Sequence, residues 1–268
     1  MVILKAGYGL DSNGFIVSDV SKDKIDNMYV PCIRQSVAGL KRLFPEQLHS
    51  VYVYGSVARG EAIALKSDLD LIALFEGKLS AGNKAELKNL AGELSQKYRS
   101  VVRDVGIAVA YYDYTVDPSN YYENAFLKEL CVCVSGDDLG ARFGPYELTS
   151  EIAIRFNGDI CESLARTLNK LNSASNEEIK TISQGFSRKL IRTFYSMVMV
   201  RSQIWSTRLH EQAEVFIHHF PDKKSVILTL QEWAEEPPAD RETVYELFKR
   251  EGEWACANFE HEAQLSYC

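Results

Sequence analysis

The chain has 268 residues, 46% of them hydrophobic and 25% charged, with a formal net charge of −7 at pH 7. That length and balance suit a globular protein of two domains, each large enough to bury a core, and exclude a disordered or fibrous chain. The excess of 37 Asp and Glu over 30 Lys and Arg argues against a partner held through nucleic-acid phosphates and favours the approach of a cationic molecule.

No apolar run approaches the ~20 residues of a membrane span. The start, Met-Val-Ile-Leu-Lys-Ala, lacks the basic leader and long apolar stretch of a signal peptide, so a cytoplasmic protein is expected. Six cysteines (Cys32, Cys131, Cys133, Cys161, Cys256 and Cys268) are scattered without paired metal-ligand spacing. They read as free thiols in a reducing compartment.

In chain order, residues 2–20 carry Asp11-Ser12-Asn13-Gly14 between short apolar runs, the pattern of a hairpin or a loose arm. Residues 24–43 place Ile25, Met28, Ile33, Val37 and Leu40 at helical spacings, with Pro31 marking the start of the regular helix. Residues 51–54, Val-Tyr-Val-Tyr, are β-branched and aromatic and predict a short strand. Gly55 ends it where no Cβ can obstruct a phosphate. Ser56 adds a hydroxyl where a helix can begin, with N–H groups turned toward an anion.

Asp68 and Asp70 head the next apolar run, residues 69–75. Two residues apart on a strand, their side chains share a face. Two carboxylates on one face repel unless a cation lies between them. Magnesium takes a few carboxylates plus substrate phosphate oxygens. Strand, Gly-Ser turn, short helix and acid-headed strand together point to nucleotide transfer from a nucleoside triphosphate. Residues 83–98 predict an amphipathic helix leading to a strand over 101–109, where Asp104 interrupts an apolar run. A carboxylate there calls for compensation by a metal or a hydrogen bond. Asp104 is therefore a candidate third metal ligand, or the acceptor of a proton from an attacking hydroxyl.

The run Tyr54-Gly55-Ser56-Val57-Ala58-Arg59-Gly60-Glu61-Ala62, followed by Lys66-Ser67-Asp68-Leu69-Asp70-Leu71, resembles the signature of the DNA polymerase β-type nucleotidyltransferase superfamily. Gly55, Ser56, Asp68, Asp70 and Asp104 match its positions one by one. The resemblance implies an α+β protein whose mixed sheet is flanked by helices, and two magnesium ions bridging the triphosphate. Length and two-part layout resemble the aminoglycoside adenylyltransferases that act on streptomycin and spectinomycin. That likeness implies ATP as donor, an antibiotic-resistance role, a nucleotidyltransferase domain over 1–145 and a closing helical domain over 146–268. Arg192, in the run Arg188-Lys189-Leu190-Ile191-Arg192-Thr193-Phe194-Tyr195, corresponds to an arginine that meets the triphosphate. Arg208 falls near a second phosphate-binding basic residue. The third acid in that family is usually Glu, where this chain has the shorter Asp104. Its antibiotic-gripping acidic and aromatic residues find no counterparts in residues 183–187, so the acceptor stays open.

Residues 130–134 predict a last strand, and Gly136 to Pro145 hold the clearest boundary. Beyond it the pattern is helical. One helix is expected over 147–171, one or two over 176–205 with Gly185 a possible break, then 208–219, 223–233 and 241–260. His218-His219 reads as a cap or surface pair rather than a metal site. Tyr111, Tyr112, Tyr114, Tyr121 and Tyr122 suit stacking on a base or sugar, or simple packing. Arg59 and Lys66 flank the motif and could touch phosphates. Two other functions fit the same motif: an AMP transferase acting on protein or RNA, whose usual minimal form lacks a long helical second domain, and a non-catalytic nucleotide-binding module, which has no need of three acids.

Overall fold

The computed structural model describes residues 4–265; Cys268 and the first residues of the predicted arm lie outside them. The chain forms two compact units. Ser18–Pro145 is one, and the described chain up to Val17 joins the chain from Tyr146 onward in the other.

The first unit is built on a four-stranded sheet of order β3-β2-β1-β4, with β1 Leu48–Tyr54, β2 Leu69–Phe75, β3 Val105–Tyr111 and β4 Cys131–Gly136. β1 runs antiparallel to both neighbours, whereas β2 and β3 are parallel. A parallel pair needs a long crossover, and helix α3 (Ala81–Lys97) supplies it, started by a capping box between Ser80 and Asn83. Helix α1 (Val30–Leu43) begins one residue before Pro31, whose missing N–H costs nothing in a first turn. One sheet face carries Val51, Val53, Leu69, Leu71, Ala73 and Phe75 into a core with Leu40, Phe44, Leu87 and Leu90. The other carries Tyr52, Leu74, Cys131 and Cys133 against Leu127 and Leu139. Between β1 and β2 lies the five-residue helix α2 (Gly55–Arg59). Between β3 and β4 lie α4 (Tyr112–Val116) and α5 (Ala125–Leu130).

The second unit is helical: α6 Ser150–Asn157, α7 Ile160–Ser173, α8 Asn176–Ser202, α9 Leu209–His219, α10 Lys224–Glu235 and α11 Arg241–Ala263. Its centre is aromatic, with Phe194 stacked on Phe216 at 4.8 Å and Phe186 edge-on to Phe248 at 4.8 Å. The single helix expected over 147–171 is two. The chain breaks at Gly158-Asp159, where the Asp159 carboxylate accepts from Ser163 (2.7 Å) and from Lys189 of α8 (2.5 Å). The 27-residue α8 is unbroken, and Gly185 sits inside it with open space where a Cβ would be.

Two sequence expectations are corrected here. Cys161 and Cys256 are joined as a disulfide, with Cα atoms 5.3 Å apart, because α7 and α11 lie alongside each other; Cys32, Cys131 and Cys133 are free and buried. The arm counted with residues 1–145 is stitched into the helical unit instead. Gly7 N–H donates to Gln203 O at 2.7 Å, Trp205 N–H to Tyr8 O at 2.9 Å, and Ile16 N–H to Tyr146 O at 2.8 Å. The arm itself is a small hairpin, with Leu10 bridged to Ile16 and the Asp11 carboxylate accepting from Asn13 and Phe15 N–H. Among the described residues no helix is long and apolar enough to cross a membrane.

Candidate active site

The candidate site sits where β1 ends. Register places Tyr54 beside Asp70 on one side and Cys131 on the other, and Asp70 beside Gly106. Gly55 follows Tyr54 with φ 74, a conformation costly for any residue with a Cβ. A Cβ there would also lie 2.9 Å from Asp70 Oδ2. Two independent constraints thus demand glycine, and both bring the turn against Asp70. Ser56 is the second residue of α2 and is half-buried.

Asp68 stands one residue before β2. Its backbone is held beside the start of β3, because Arg103 N–H donates to Ser67 O at 3.0 Å and Leu69 N–H to Asp104 O at 2.9 Å. Asp68 is paired with Arg103: Nε donates to Oδ1 at 2.9 Å and Nη2 to Oδ2 at 2.5 Å. Arg103 is held above its ordinary pKa, first by that hydrogen bonding and then by the charges of Asp68, Asp104 and Asp70, against a smaller opposing effect of burial. All three candidate carboxylates therefore act on one guanidinium.

Asp104 does not interrupt a buried strand. β3 begins at Val105, and Asp104 is exposed. Its Oδ1 accepts from the Ser95 hydroxyl of α3 and from Val105 N–H at 2.8 Å. Among the described residues no three His, Cys, Asp or Glu side chains are placed to hold one metal ion. The structure therefore sets the Gly55 turn against Asp70 and places Asp68, Asp70 and Asp104 within reach of the one guanidinium of Arg103, with Asp104 also bonded to Ser95 of α3.

The family model of the nucleotidyltransferase domain matches residues 33–123, the stretch that holds every one of these groups. No curated protein matches the chain. Among solved structures, spectinomycin adenyltransferase AAD(9) from Enterococcus faecialis, crystallised with ATP and spectinomycin, matches in fold with a TM-score of 0.54 at 13% identity. The match covers 84% of this chain and 98% of that one. The chain is of the α+β class, its residues 33–123 are similar to a nucleotidyltransferase domain, and its likeness to the adenyltransferase is one of fold.

A nucleotidyltransferase domain implies a divalent metal, and the donor set accommodates one. Asp68 and Asp70 supply hard oxygens, and the surplus of carboxylates around Arg103 is a place where positive charge is stabilised. Asp104 has Oδ1 held by Ser95 and Val105 N–H and would join them through its other oxygen.

The remaining candidates belong to the other unit or are engaged elsewhere. Arg192, exposed on α8, and Arg208, half-buried just before α9, both belong to the helical unit. Arg59 is ion-paired with Glu61 at 3.0 Å. Tyr112 packs against His49, with ring centres 5.0 Å apart, and Tyr121 against Tyr122 at 5.3 Å. Tyr114, Tyr121 and Tyr122 are exposed. His219 is structural: its Nε2 lies 2.7 Å from Ser202 Oγ, and burial, with Arg201 and His218 nearby, lowers its pKa to about 4. A groove of about 320 Å³ between α7 and α8, lined in part by Arg166, Lys170, Phe186 and Lys189, contains none of the candidate residues.

Two residues escaped the sequence reading. Arg103 pairs with Asp68, 35 positions away, a partner that no local pattern points to. Glu129, at the end of α5, is buried (3% exposed), and burial raises its pKa to about 7. Its signal was an acid inside the apolar segment Ala125–Leu130.

Proposed function

We propose that this nucleotidyltransferase transfers AMP from ATP to a hydroxyl of a small, cationic acceptor such as an aminoglycoside. The acceptor oxygen attacks the α-phosphorus in line, the bond between the α-phosphorus and the bridging oxygen to the β-phosphate breaks, and pyrophosphate leaves with the electron pair. The observation that supports this reading is the closeness of the Gly55 turn to Asp70, where even a Cβ would lie 2.9 Å from Asp70 Oδ2.

Asp68 and Asp70 would hold magnesium, whose role is to neutralise charge on the reacting phosphates. Gly55 and Ser56 position the β- and γ-phosphates. Arg192 and Arg208 neutralise the departing pyrophosphate. Asp104 serves as base: Ser95 and Val105 N–H hold Oδ1, and the exposed carboxylate is fixed at one oxygen for proton transfer at the other. ATP as donor and an aminoglycoside as acceptor are supported by the fold shared with a protein crystallised with ATP and spectinomycin. The net charge of −7 also suits a cationic acceptor.

The test is pyrophosphate release from Mg-ATP across aminoglycosides, other hydroxylated small molecules, RNA and protein. Turnover with small cationic acceptors alone is the expected result. Turnover with RNA or protein alone overturns the acceptor assignment. Failure to bind Mg-ATP in calorimetry overturns the enzyme reading as a whole.

A further inference from the structure

The two bonds from Arg103 to Asp68 use both carboxylate oxygens, one from Nε and one from Nη2. This fork-to-fork geometry is the strongest arrangement available to an arginine and a carboxylate. Those same oxygens are the lone pairs a divalent ion would take. The pairing is built in rather than a chance meeting of long side chains. Backbone bonds from Arg103 to Ser67 and from Leu69 to Asp104 bracket the Asp68 backbone, so the two partners start from fixed positions on neighbouring strands. The pair is also reachable: the Arg103 side chain is 41% exposed and that of Asp68 is 28% exposed. Asp70 and Asp104 contribute their charges to the same guanidinium.

We infer that Arg103 is a positioning residue that serves as the resting counter-ion of Asp68. It holds the carboxylate in place, keeps bare divalent ions out, and gives way when a metal-bound nucleotide arrives. The inference rests on the proposed metal role of Asp68 and Asp70. Magnesium gives up its water reluctantly, so the bare ion competes poorly with a bidentate guanidinium. A triphosphate changes the balance in two ways. It brings oxygens to the metal, and it offers the guanidinium anionic oxygens in the geometry it prefers. Metal and nucleotide must then bind cooperatively, each raising the other's affinity by the same factor.

The experiment is titration of the intact protein with Mn²⁺, followed by the free-ion electron paramagnetic resonance signal, with and without α,β-methylene ATP. Wild type is compared with Arg103→Met, Arg103→Lys and Asp70→Asn. Without nucleotide, Arg103→Met is expected to bind Mn²⁺ roughly five- to tenfold more tightly than wild type, the scale of one well-formed ion pair. Arg103→Lys, a point charge without the fork, should fall between them and carries the test should Arg103→Met not fold. Arg103→Met should also bind the analogue more weakly and show little cooperativity between metal and nucleotide. Equal Mn²⁺ affinity in wild type and the Arg103 variants, with Asp70→Asn weakened, overturns the inference while leaving the metal site standing. Mn²⁺ binding unchanged in Asp70→Asn, or absent even with the analogue, overturns the metal site and the inference with it.

Discussion

Gly55→Ala is the sharpest perturbation this fold offers, because one methyl group meets two separate obstacles. The backbone at Gly55 has φ 74, and an L-residue in that region loses about 1–2 kcal/mol relative to glycine. The new Cβ would also stand 2.9 Å from Asp70 Oδ2. The carboxylate end can rotate away by a few tenths of an ångström, so the contact adds little further instability. That rotation moves a proposed metal ligand, and misplacement of a reacting group by about 1 Å costs about a hundredfold in rate. The variant should therefore lose about 1–2 kcal/mol of stability, near 5 °C in Tm for a unit of this size, while kcat falls about ten- to a hundredfold. Differential scanning fluorimetry and pyrophosphate release measure the two effects separately. Wild-type turnover in a protein destabilised as expected would show that Asp70 can move without consequence, and the placement of the phosphate turn against it would carry no function. An unchanged Tm would refute the strain argument instead.

Three more outcomes follow from particular contacts. Asp70→Asn removes a charge from a partly exposed carboxylate, so turnover should be lost while Tm stays within about 2 °C; retained turnover would remove Asp70 from the chemistry. The Glu129 carboxyl titrates near pH 7 in the folded chain, against an ordinary value of 4.5. The folded state therefore binds the extra proton between about pH 4.5 and 7, and stability falls as pH rises through that window, by about 3 kcal/mol at most. Glu129→Gln should be more stable than wild type at pH 8 and not at pH 4, and a difference in urea midpoint that is independent of pH would contradict this. Gly252 of α11 packs so closely that a Cβ would meet Leu164 Cδ1 at 2.5 Å. Overpacking of about 1–3 kcal/mol should outweigh the helix propensity alanine gains in Gly252→Ala, and adding Leu164→Ala should recover part of the loss in a double-mutant cycle.

What could be read from the sequence was local. The strand over 51–54 and the turn at Gly55 depend on residues a few positions apart, where strand propensity and glycine geometry settle the matter. The unread features depend on partners far along the chain. Asp104 lies outside the strand because β3 starts at Val105 rather than at 101, and its Oδ1 accepts from Ser95. Arg103 finds Asp68 only through the parallel register of β2 and β3, 35 positions away. Cys161 and Cys256 are 95 positions apart, and no spacing rule joins them. At the break after Gly158, Asp159 accepts from Lys189 of a later helix, a partner 30 positions away. Gly185 misled in the opposite sense: glycine suggests a stop, but the packing of Leu190, Phe194 and their neighbours holds α8 together across it.

The hairpin arm gives the connectivity a consequence for dissection. Ile16 bonds to Tyr146 and Phe15 bridges to Glu147, so the incoming and outgoing chain run side by side within the helical unit. The catalytic segment is thus spliced into a host at a single doorway. A cut at 145/146 would separate the arm from the residues that bond it, whereas a short linker from Val17 to Tyr146 would close the host without disturbing a strand or a helix.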